Sequence, residues 1–346
     1  MLATLLSGER ISVSQAEWAM SQFMRGEATG AQQGAFLAAL AAKGVRGEDL
    51  VGFRDAILAE ANPLELTSDA LDIVGTGGDR FGTVNVSTMA AFVCAGAGVP
   101  IVKHGNRAAS SKSGSSDVLS ALGADLTLSA SQLQAVFARV KVAFVHAARF
   151  LPGFSHVAAA RKELGIPTVF NFLGPLCNPV RPEASAIGVA DAARAPLIAE
   201  VFQIRGAAAL VFRGDDGLDE LSTTGHSHIW EVSRGAVTEH DLNPSDLGLS
   251  RAKLSDLVGG SPQENADTLR RVFAGEQGAV RDIVLLNAAA GMVAYDLYAQ
   301  PESARTPLIE RLNQRLSTAS ASIDNGDAER ALDEWIKATN AAAQSA

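Results

Sequence analysis

The first 66 residues carry apolar side chains at the three- and four-residue spacing of amphipathic helices. The runs GAFLAALAAKG and LVGFRDAILAEA keep this spacing, which predicts helices with one apolar face each. Ser14 and Thr29 each stand three residues before a Glu or Gln, a pattern that caps the free N–H groups of a first helical turn. We therefore predict a small all-helical domain at residues 1–66.

From Leu71 onward, short apolar runs alternate with longer helical segments. The runs LDIVG, VPIVKHG, VAFVHA, ASAIGVA and AALVFRG predict strands, and LTLS predicts a further short strand or a turn. Strands that alternate with helices indicate an α/β fold, here a mainly parallel sheet flanked by helices. We assign residues 67–346 to this α/β domain and expect a helical segment near residues 160–180 to join the small helical domain.

Composition narrows the class of protein. The 346 residues are 47% hydrophobic, and the formal net charge is −9. This acidic balance argues against nucleic-acid or membrane-surface partners, which require a basic face. No uncharged apolar run reaches about 18 residues, the length that suggests a membrane span. The N-terminus lacks a signal-peptide pattern, and Cys94 and Cys177 have no metal-binding spacing, so we expect a cytoplasmic protein with reduced, buried thiols.

A glycine-rich loop follows the first predicted strand. Gly75, Gly77 and Gly78 allow a tight turn, and donor side chains follow in residues 83–88. A helix that begins at these residues would present free N–H groups and a dipole that favour an anion. On local grounds, a tight turn with ordinary capping remains an equal alternative.

The run KHGNRAASSKSGSSD follows the next predicted strand. It holds five serines and four side chains that are or can be cationic, with no acid between Lys103 and Ser116. Loops after successive parallel strands meet at one edge of the sheet, where ligands bind. A solvated surface is the alternative, but such surfaces usually carry acids as well. The run therefore favours a multiply charged anionic ligand.

Two further segments carry candidate chemistry. Asp219 and Glu220 follow the strand AALVFRG, and adjacent carboxylates in a loop suit magnesium, which often bridges to substrate phosphates. An acidic turn without metal is the alternative. Arg161 lies on a predicted helix ahead of the apolar loop NFLGPLCNP; together they could hold an aromatic carboxylate, although a lone helical arginine is more often a surface residue.

Taken together and in this order, the motifs GTGGD, NVST, KHGNRAASSKSGSSD, RKELG, TVFNFLGPLCNP and DEL resemble the anthranilate phosphoribosyltransferases over roughly residues 5–340. The resemblance implies a homodimer, with a cleft between the small helical domain and the α/β domain. It also implies that the cleft binds 5-phosphoribosyl 1-diphosphate (PRPP) with Mg²⁺, and then anthranilate, as part of tryptophan biosynthesis.

The resemblance also implies site residues. Contacts to the phosphoribosyl donor fall on Gly75, Gly78, Asp79, Thr83, Asn85, Val86, Ser87, Thr88, Lys103, His104, Gly105, Asn106, Arg107, Ala108, Ala109, Ser110, Ser111 and Ser115. Magnesium ligands fall on Ser87, Asp219 and Glu220, and contacts to anthranilate on Gly75, Asn106 and Arg161. Catalytic roles fall on Lys103, Asn106 and Arg161.

Loss of diphosphate from the ribose C1 is expected to pass through a loose, oxocarbenium-like transition state, as in glycoside cleavage. The main catalytic tasks are then to stabilise the leaving diphosphate and to align the aromatic amine. Because that amine is largely unprotonated at neutral pH, we assign no general base.

One segment departs from the family pattern. In HAARFLPGF, Ala148 stands where proline is usual, Leu151 where histidine is usual, and Phe154 where methionine or tyrosine is usual. In the family this segment lines the anthranilate side of the cleft, so we expect a more apolar acceptor pocket. One alternative is a same-fold phosphoribosyl- or pentosyltransferase with another aromatic acceptor. A non-catalytic nucleic-acid-binding relative is a further alternative, which the acidic composition disfavours.

Overall fold

Four helices form the N-terminal part of the chain in the computed structural model, which describes residues 1–107 and 112–345. They are α1 (Leu2–Leu6), α2 (Val13–Met24), α3 (Gly30–Lys43) and α4 (Gly47–Ala59). The capping box predicted at Thr29 is confirmed, since its hydroxyl accepts from the Gln32 N–H at 3.3 Å. The one predicted at Ser14 is wrong. The extended residue ahead of α2 is Ser12, whose hydroxyl accepts from the Gln15 N–H, whereas Ser14 already lies inside the helix.

A seven-stranded sheet forms the centre of the rest of the chain. Its strands are β1 (Leu71–Gly75), β2 (Ile101–Gly105), β3 (Val142–His146), β4 (Ala184–Gly188), β5 (Ala208–Gly214), β6 (Ser227–Ser233) and β7 (Ala236–Leu242). The order is β3-β2-β1-β4-β5-β6-β7. Neighbours are parallel from β3 to β5 and antiparallel from β5 to β7, which confirms the mainly parallel α/β sheet.

The strand order reverses at β1. The chain places β2 and β3 on one side of β1 and then returns to add β4 and β5 on the other. In open parallel sheets, ligands bind outside the carboxyl ends of the strands at such a reversal. The glycine-rich loop after β1 and the basic run after β2 therefore start at the position where the fold favours a site.

The strand or turn predicted at LTLS is not a strand. Asp125 accepts hydrogen bonds from both the backbone N–H and the hydroxyl of Thr127, and Ser129 caps the next helix. These local bonds occupy the groups that a strand would offer to a neighbour.

Helices cover both faces of the sheet. They are α5 (Val86–Gly96), α6 (Ser115–Ala121), α7 (Ala130–Val140), α8 (Ala147–Phe150), α9 (Ser155–Leu164), α10 (Phe170–Leu173), α11 (Ala195–Arg205), α12 (Pro262–Phe273), α13 (Ala279–Ala299), α14 (Leu308–Asp324) and α15 (Asp327–Gln344). Helix α13 is long and apolar enough to cross a membrane, but 72% of its most apolar window is buried. It packs against β1, β4 and β5, which is the position of a core helix.

Two hydrophobic clusters fill the interior. One joins α5, α13 and the C-terminal helices to one face of the sheet. The other joins α1–α4 to α9, α10, α11 and the opposite face. Helix α9 packs on α3, which is compatible with the expected addition of residues 160–180 to the helical domain. The domain boundary at residue 66 stays a prediction. Cys94 and Cys177 are free and buried.

Candidate active site

The loop after β1 has an unusual concentration of left-handed backbone. Gly77, Gly78, Arg80 and Gly82 all have φ between +63° and +85°. Three of these four residues are glycines, which adopt this conformation without the steric cost that a side chain adds. The backbone N–H of Gly77 turns away from the strand and donates to Oδ2 of Asp219 at 2.7 Å. The loop is thereby fixed against the acidic loop that follows β5.

Helix α5 begins beside this loop. Asn85 precedes its first residue, and Val86, Ser87 and Thr88 form its first turn, where the helix dipole favours a negative charge. The side chain of Asn85 donates to the Ser113 carbonyl at 3.1 Å and accepts from Asn265 at 2.9 Å. Asn85 therefore connects the glycine loop to the basic run and to α12.

The Lys103 ammonium is buried beneath the loops, because β2 directs this side chain into the sheet edge. It donates to the Ile73 carbonyl oxygen and, at 3.3 Å, to Oγ of Ser87. Burial lowers the pKa of Lys103, and the neighbouring carboxylates of Asp72, Glu220 and Asp219 offset only part of this effect. The Lys103 side chain is thus placed next to the acidic pair.

Asp219 and Glu220 are buried carboxylates. Burial, together with the charge of Asp79, raises the pKa of Asp219 to about 6. Burial, and then the charge of Asp219, raises the pKa of Glu220. The backbone of Gly188 packs against Asp219 so closely that a Cβ atom would overlap the Asp219 carbonyl oxygen. The loop is therefore held in place while its carboxylates repel each other.

This acidic pair fits a magnesium ion. The repulsion between Asp219 and Glu220 would be relieved by a divalent cation, and both residues supply the hard oxygen ligands that Mg²⁺ prefers. Ser87, whose N–H hydrogen-bonds Glu220, places its hydroxyl nearby. No group of three His, Cys, Asp or Glu side chains in residues 1–107 and 112–345 could hold a metal by itself. Oxygen ligands from a substrate would complete the coordination.

A cavity of about 460 Å³ lies next to the carboxyl ends of β1 and β2. All three residues that the sequence assigns to anthranilate line it, namely Gly75, Asn106 and Arg161. The departing positions Ala148, Leu151 and Phe154 line it as well, and their side chains make that wall apolar.

Arg161 is the cationic side chain of this cavity. Its guanidinium lies over the ring of Phe170, 5.3 Å from the centroid, an arrangement that holds the planar group in a fixed orientation. Burial lowers the pKa of Arg161. Within the described part of the chain, no carboxylate forms an ion pair with it. A half-buried arginine without a carboxylate partner in the protein is suited to bind a carboxylate of a ligand.

The basic run is described only in part. The backbone N–H of Arg107 donates to Oδ1 of Asn106 at 2.8 Å, and Oγ of Ser115 donates to the Asn106 carbonyl at 3.3 Å. Gly105 lines the cavity. Thr83 forms an isolated bridge with Val258, which places it at the end of the glycine loop. The predictions for Ala108, Ala109, Ser110 and Ser111 lie outside the described residues.

The ring of His104 belongs to a buried network that the motif comparison did not indicate. Nδ1 lies 2.6 Å from Oδ2 of Asp72, and Nε2 lies 2.7 Å from the Gly174 carbonyl oxygen. Asn178 donates to the same carboxylate at 2.9 Å. One sequence signal was present: Asp72 is an acid inside an apolar strand, and a buried acid requires partners.

The helical bundle and the α/β sheet, with a candidate ligand site at its edge, correspond to the two domains of a glycosyl transferase family. The family model described as "Glycosyl transferase family, helical bundle domain" matches residues 1–61, and "Glycosyl transferase family, a/b domain" matches residues 67–329. An anthranilate phosphoribosyltransferase of Leifsonia xyli is 60% identical over 98% of this chain and 97% of its own. One from an Arthrobacter strain is 48% identical over 98% and 95%.

Solved structures agree with these relatives. The anthranilate phosphoribosyltransferase of Thermus thermophilus superposes with a TM-score of 0.89 at 37% identity, covering 98% of this chain and 99% of that one. The enzyme of Saccharomyces cerevisiae in complex with PRPP and Mg superposes with a TM-score of 0.87 at 30% identity, covering 98% and 97%. The chain belongs to the anthranilate phosphoribosyltransferase family.

Proposed function

We propose that this protein transfers the phosphoribosyl group of PRPP to the amine of anthranilate, releasing diphosphate, in the second step of tryptophan biosynthesis from chorismate. The observation that carries this proposal is that Gly75, Asn106 and Arg161 line the same cavity, which adjoins the glycine loop and the acidic pair. A carboxylate site and a phosphate site therefore meet at one sheet edge. The homology to enzymes of this name over 98% of the chain supports the same reaction.

The donor occupies the edge formed by the loops after β1 and β2. The amides of the glycine loop donate to phosphate oxygens, and the N-terminal dipole of α5 favours the negative charge of those phosphates. Lys103 adds a fixed positive charge beneath them. These groups stabilise the negative charge that grows on the departing diphosphate, and they need no rearrangement to do so.

Ser87, Asp219 and Glu220 would hold the magnesium ion that accompanies the donor. When bound, it supplies positive charge that stabilises the leaving diphosphate. Gly77 holds the Asp219 carboxylate in place through its N–H. The Mg²⁺ bound in a structure of the Saccharomyces cerevisiae enzyme with PRPP supports this role.

Anthranilate enters the cavity with its carboxylate toward Arg161. The ring lies among the apolar side chains of Ala148, Leu151 and Phe154, and Asn106 borders the path to the donor. This orientation points the amine toward the ribose C1, which converts the transfer into a reaction between aligned partners. Because the amine is already unprotonated, these residues need to position it and not to deprotonate it.

The protein functions as a cytoplasmic homodimer. Leu6, Val13 and Trp18 on α1 and α2 are large apolar residues with 75%, 37% and 57% exposure. A second copy of the chain covers this surface and removes its apolar area from water.

Another aromatic amine as acceptor is the second candidate. The apolar wall formed by Ala148, Leu151 and Phe154 favours it, because these positions differ from the family pattern. Fluorescence of anthranilate distinguishes the two candidates: its loss should require protein, PRPP and Mg²⁺ together. Folded protein that consumes no anthranilate under these conditions would overturn the first candidate and leave the second.

A further inference from the structure

The two ring nitrogens of His104 face two hydrogen-bond acceptors. Nδ1 lies 2.6 Å from a carboxylate oxygen of Asp72, and Nε2 lies 2.7 Å from the carbonyl oxygen of Gly174. A carbonyl oxygen can only accept, so Nε2 must carry a proton. His104 itself is 4% exposed, which removes water as a competing partner.

The other nitrogen of the ring is held by Asp72. Besides its bond to Nδ1, the Asp72 carboxylate accepts from the His104 backbone N–H at 3.2 Å and from Nδ2 of Asn178 at 2.9 Å. These bonds fix the plane of the ring, so that Nε2 stays directed at Gly174.

Gly174 is the point where this hydrogen bond acts on the site. It follows α10 and lines the cavity that holds Arg161, as do Asn171, Pro175 and His104 itself. The same segment is tied a second time, since Nδ2 of Asn178 also donates to the Val102 carbonyl at 2.9 Å. Both ties end on β1 or β2, the strands that precede the two donor loops.

We propose that His104 is a positioning residue that clamps the acceptor-side loop, residues 170–178, to the donor strands β1 and β2 through the Gly174 carbonyl. Its ring acts on the acceptor through this loop and not by touching the phosphoribosyl donor. The clamp sets the distance between the wall of the acceptor cavity and the carboxyl ends of the donor strands. The inference builds on the proposed function, because its kinetic test follows anthranilate.

Two substitutions separate the two bonds of the ring. The amide nitrogen of glutamine reaches the position of Nε2, and that of asparagine reaches the position of Nδ1. His104→Gln can therefore keep the bond to Gly174, and His104→Asn can keep only the bond to Asp72. If His104 served only to hydrogen-bond Asp72, asparagine would replace it better than glutamine. The clamp predicts the opposite, namely that His104→Asn impairs the protein more than His104→Gln.

Steady-state kinetics then gives the test. We expect His104→Asn to raise the anthranilate KM at least about tenfold and His104→Gln about threefold or less, with the PRPP KM changed about threefold or less in both, since the loss of a buried hydrogen bond that leaves its acceptor unsatisfied has this weight. Equal anthranilate KM values in the two variants, or the reverse order, would overturn the clamp. His228→Gln, on the distant β6–β7 hairpin, serves as the matched control.

The proton on Nε2 can be observed in the unaltered protein without turnover. The ¹⁵N chemical shift of Nε2 of His104 should be of the protonated type, because the Gly174 carbonyl oxygen can only accept. The spectrum of His104→Gln, which lacks this ring, assigns the signal. An unprotonated Nε2 would overturn the clamp, and this result would stand whether or not anthranilate is the acceptor.

Discussion

Gly75 and Asp219 lie so close together that a Cβ atom on residue 75 would overlap Oδ2 of the Asp219 carboxylate. The last residue of β1 and the acidic loop after β5 are therefore fitted to each other. A glycine is needed here for close approach, since the φ of Gly75 is not in the left-handed region. The proposed metal site depends on this contact.

Gly75→Ala should displace the Asp219 carboxylate and lower kcat at least about tenfold, because forcing an atom into a packed site costs about 1–3 kcal/mol. Turnover at saturating substrates measures the effect. Gly30→Ala is the control, since a Cβ atom there meets no atom within 4 Å. Unchanged kcat in Gly75→Ala would show that the Asp219 position is not needed.

Arg161→Ala should raise the anthranilate KM at least about tenfold, because a charge-assisted hydrogen bond to a carboxylate contributes about 1.5–3 kcal/mol. The PRPP KM should change little. Initial rates over a matrix of both substrates separate the two constants. The neighbouring exposed residue gives the control Lys162→Ala, which should resemble the unaltered protein. A large loss of PRPP affinity with an unchanged anthranilate KM would remove Arg161 from the acceptor site.

Asp219→Ala should raise the Mg²⁺ concentration for half-maximal activity and lower the maximal rate, because one of two carboxylate ligands is lost. A magnesium titration at fixed PRPP and anthranilate measures both. Asp215→Ala is the matched control, since Asp215 is an exposed acid at the start of the same loop. An unaltered magnesium dependence in Asp219→Ala would contradict its assignment as a ligand.

Trp18→Asp should convert the proposed dimer to monomers, because burying an unpaired carboxylate in an apolar interface is strongly unfavourable. Sedimentation velocity at micromolar concentration measures the change. Val258→Asp introduces the same charge at an exposed apolar residue elsewhere and should leave the dimer intact. A monomeric unaltered protein would contradict the dimer, and a dimeric Trp18→Asp would move the interface away from α2.

The sequence predicted the α/β class and the mainly parallel sheet well, because the alternation of short apolar runs and helical segments reflects local physics. It placed Gly75, Asn106 and Arg161 on different elements, and the structure brings all three to one cavity. These three residues could be grouped from the sequence only because their motifs resemble those of a known family. The number of residues between them gives no information on how far apart they lie in the fold.

Other features depend on tertiary contacts and were beyond the sequence. The His104 ring could not be assigned to Asp72 and Gly174, because these partners lie 32 and 70 residues away. The capping of α2 by Ser12 could not be predicted, since Ser12 and Ser14 both offer a capping pattern and only the backbone conformation distinguishes them.

The most direct test of the central claim is the stoichiometry of the reaction. Protein, PRPP, anthranilate and Mg²⁺ are mixed, and mass spectrometry quantifies N-(5-phosphoribosyl)anthranilate while an enzymatic assay quantifies diphosphate. The proposed function predicts equal amounts of the two products from the first turnovers. Diphosphate released without phosphoribosylanthranilate, or no release by the folded protein, would contradict it.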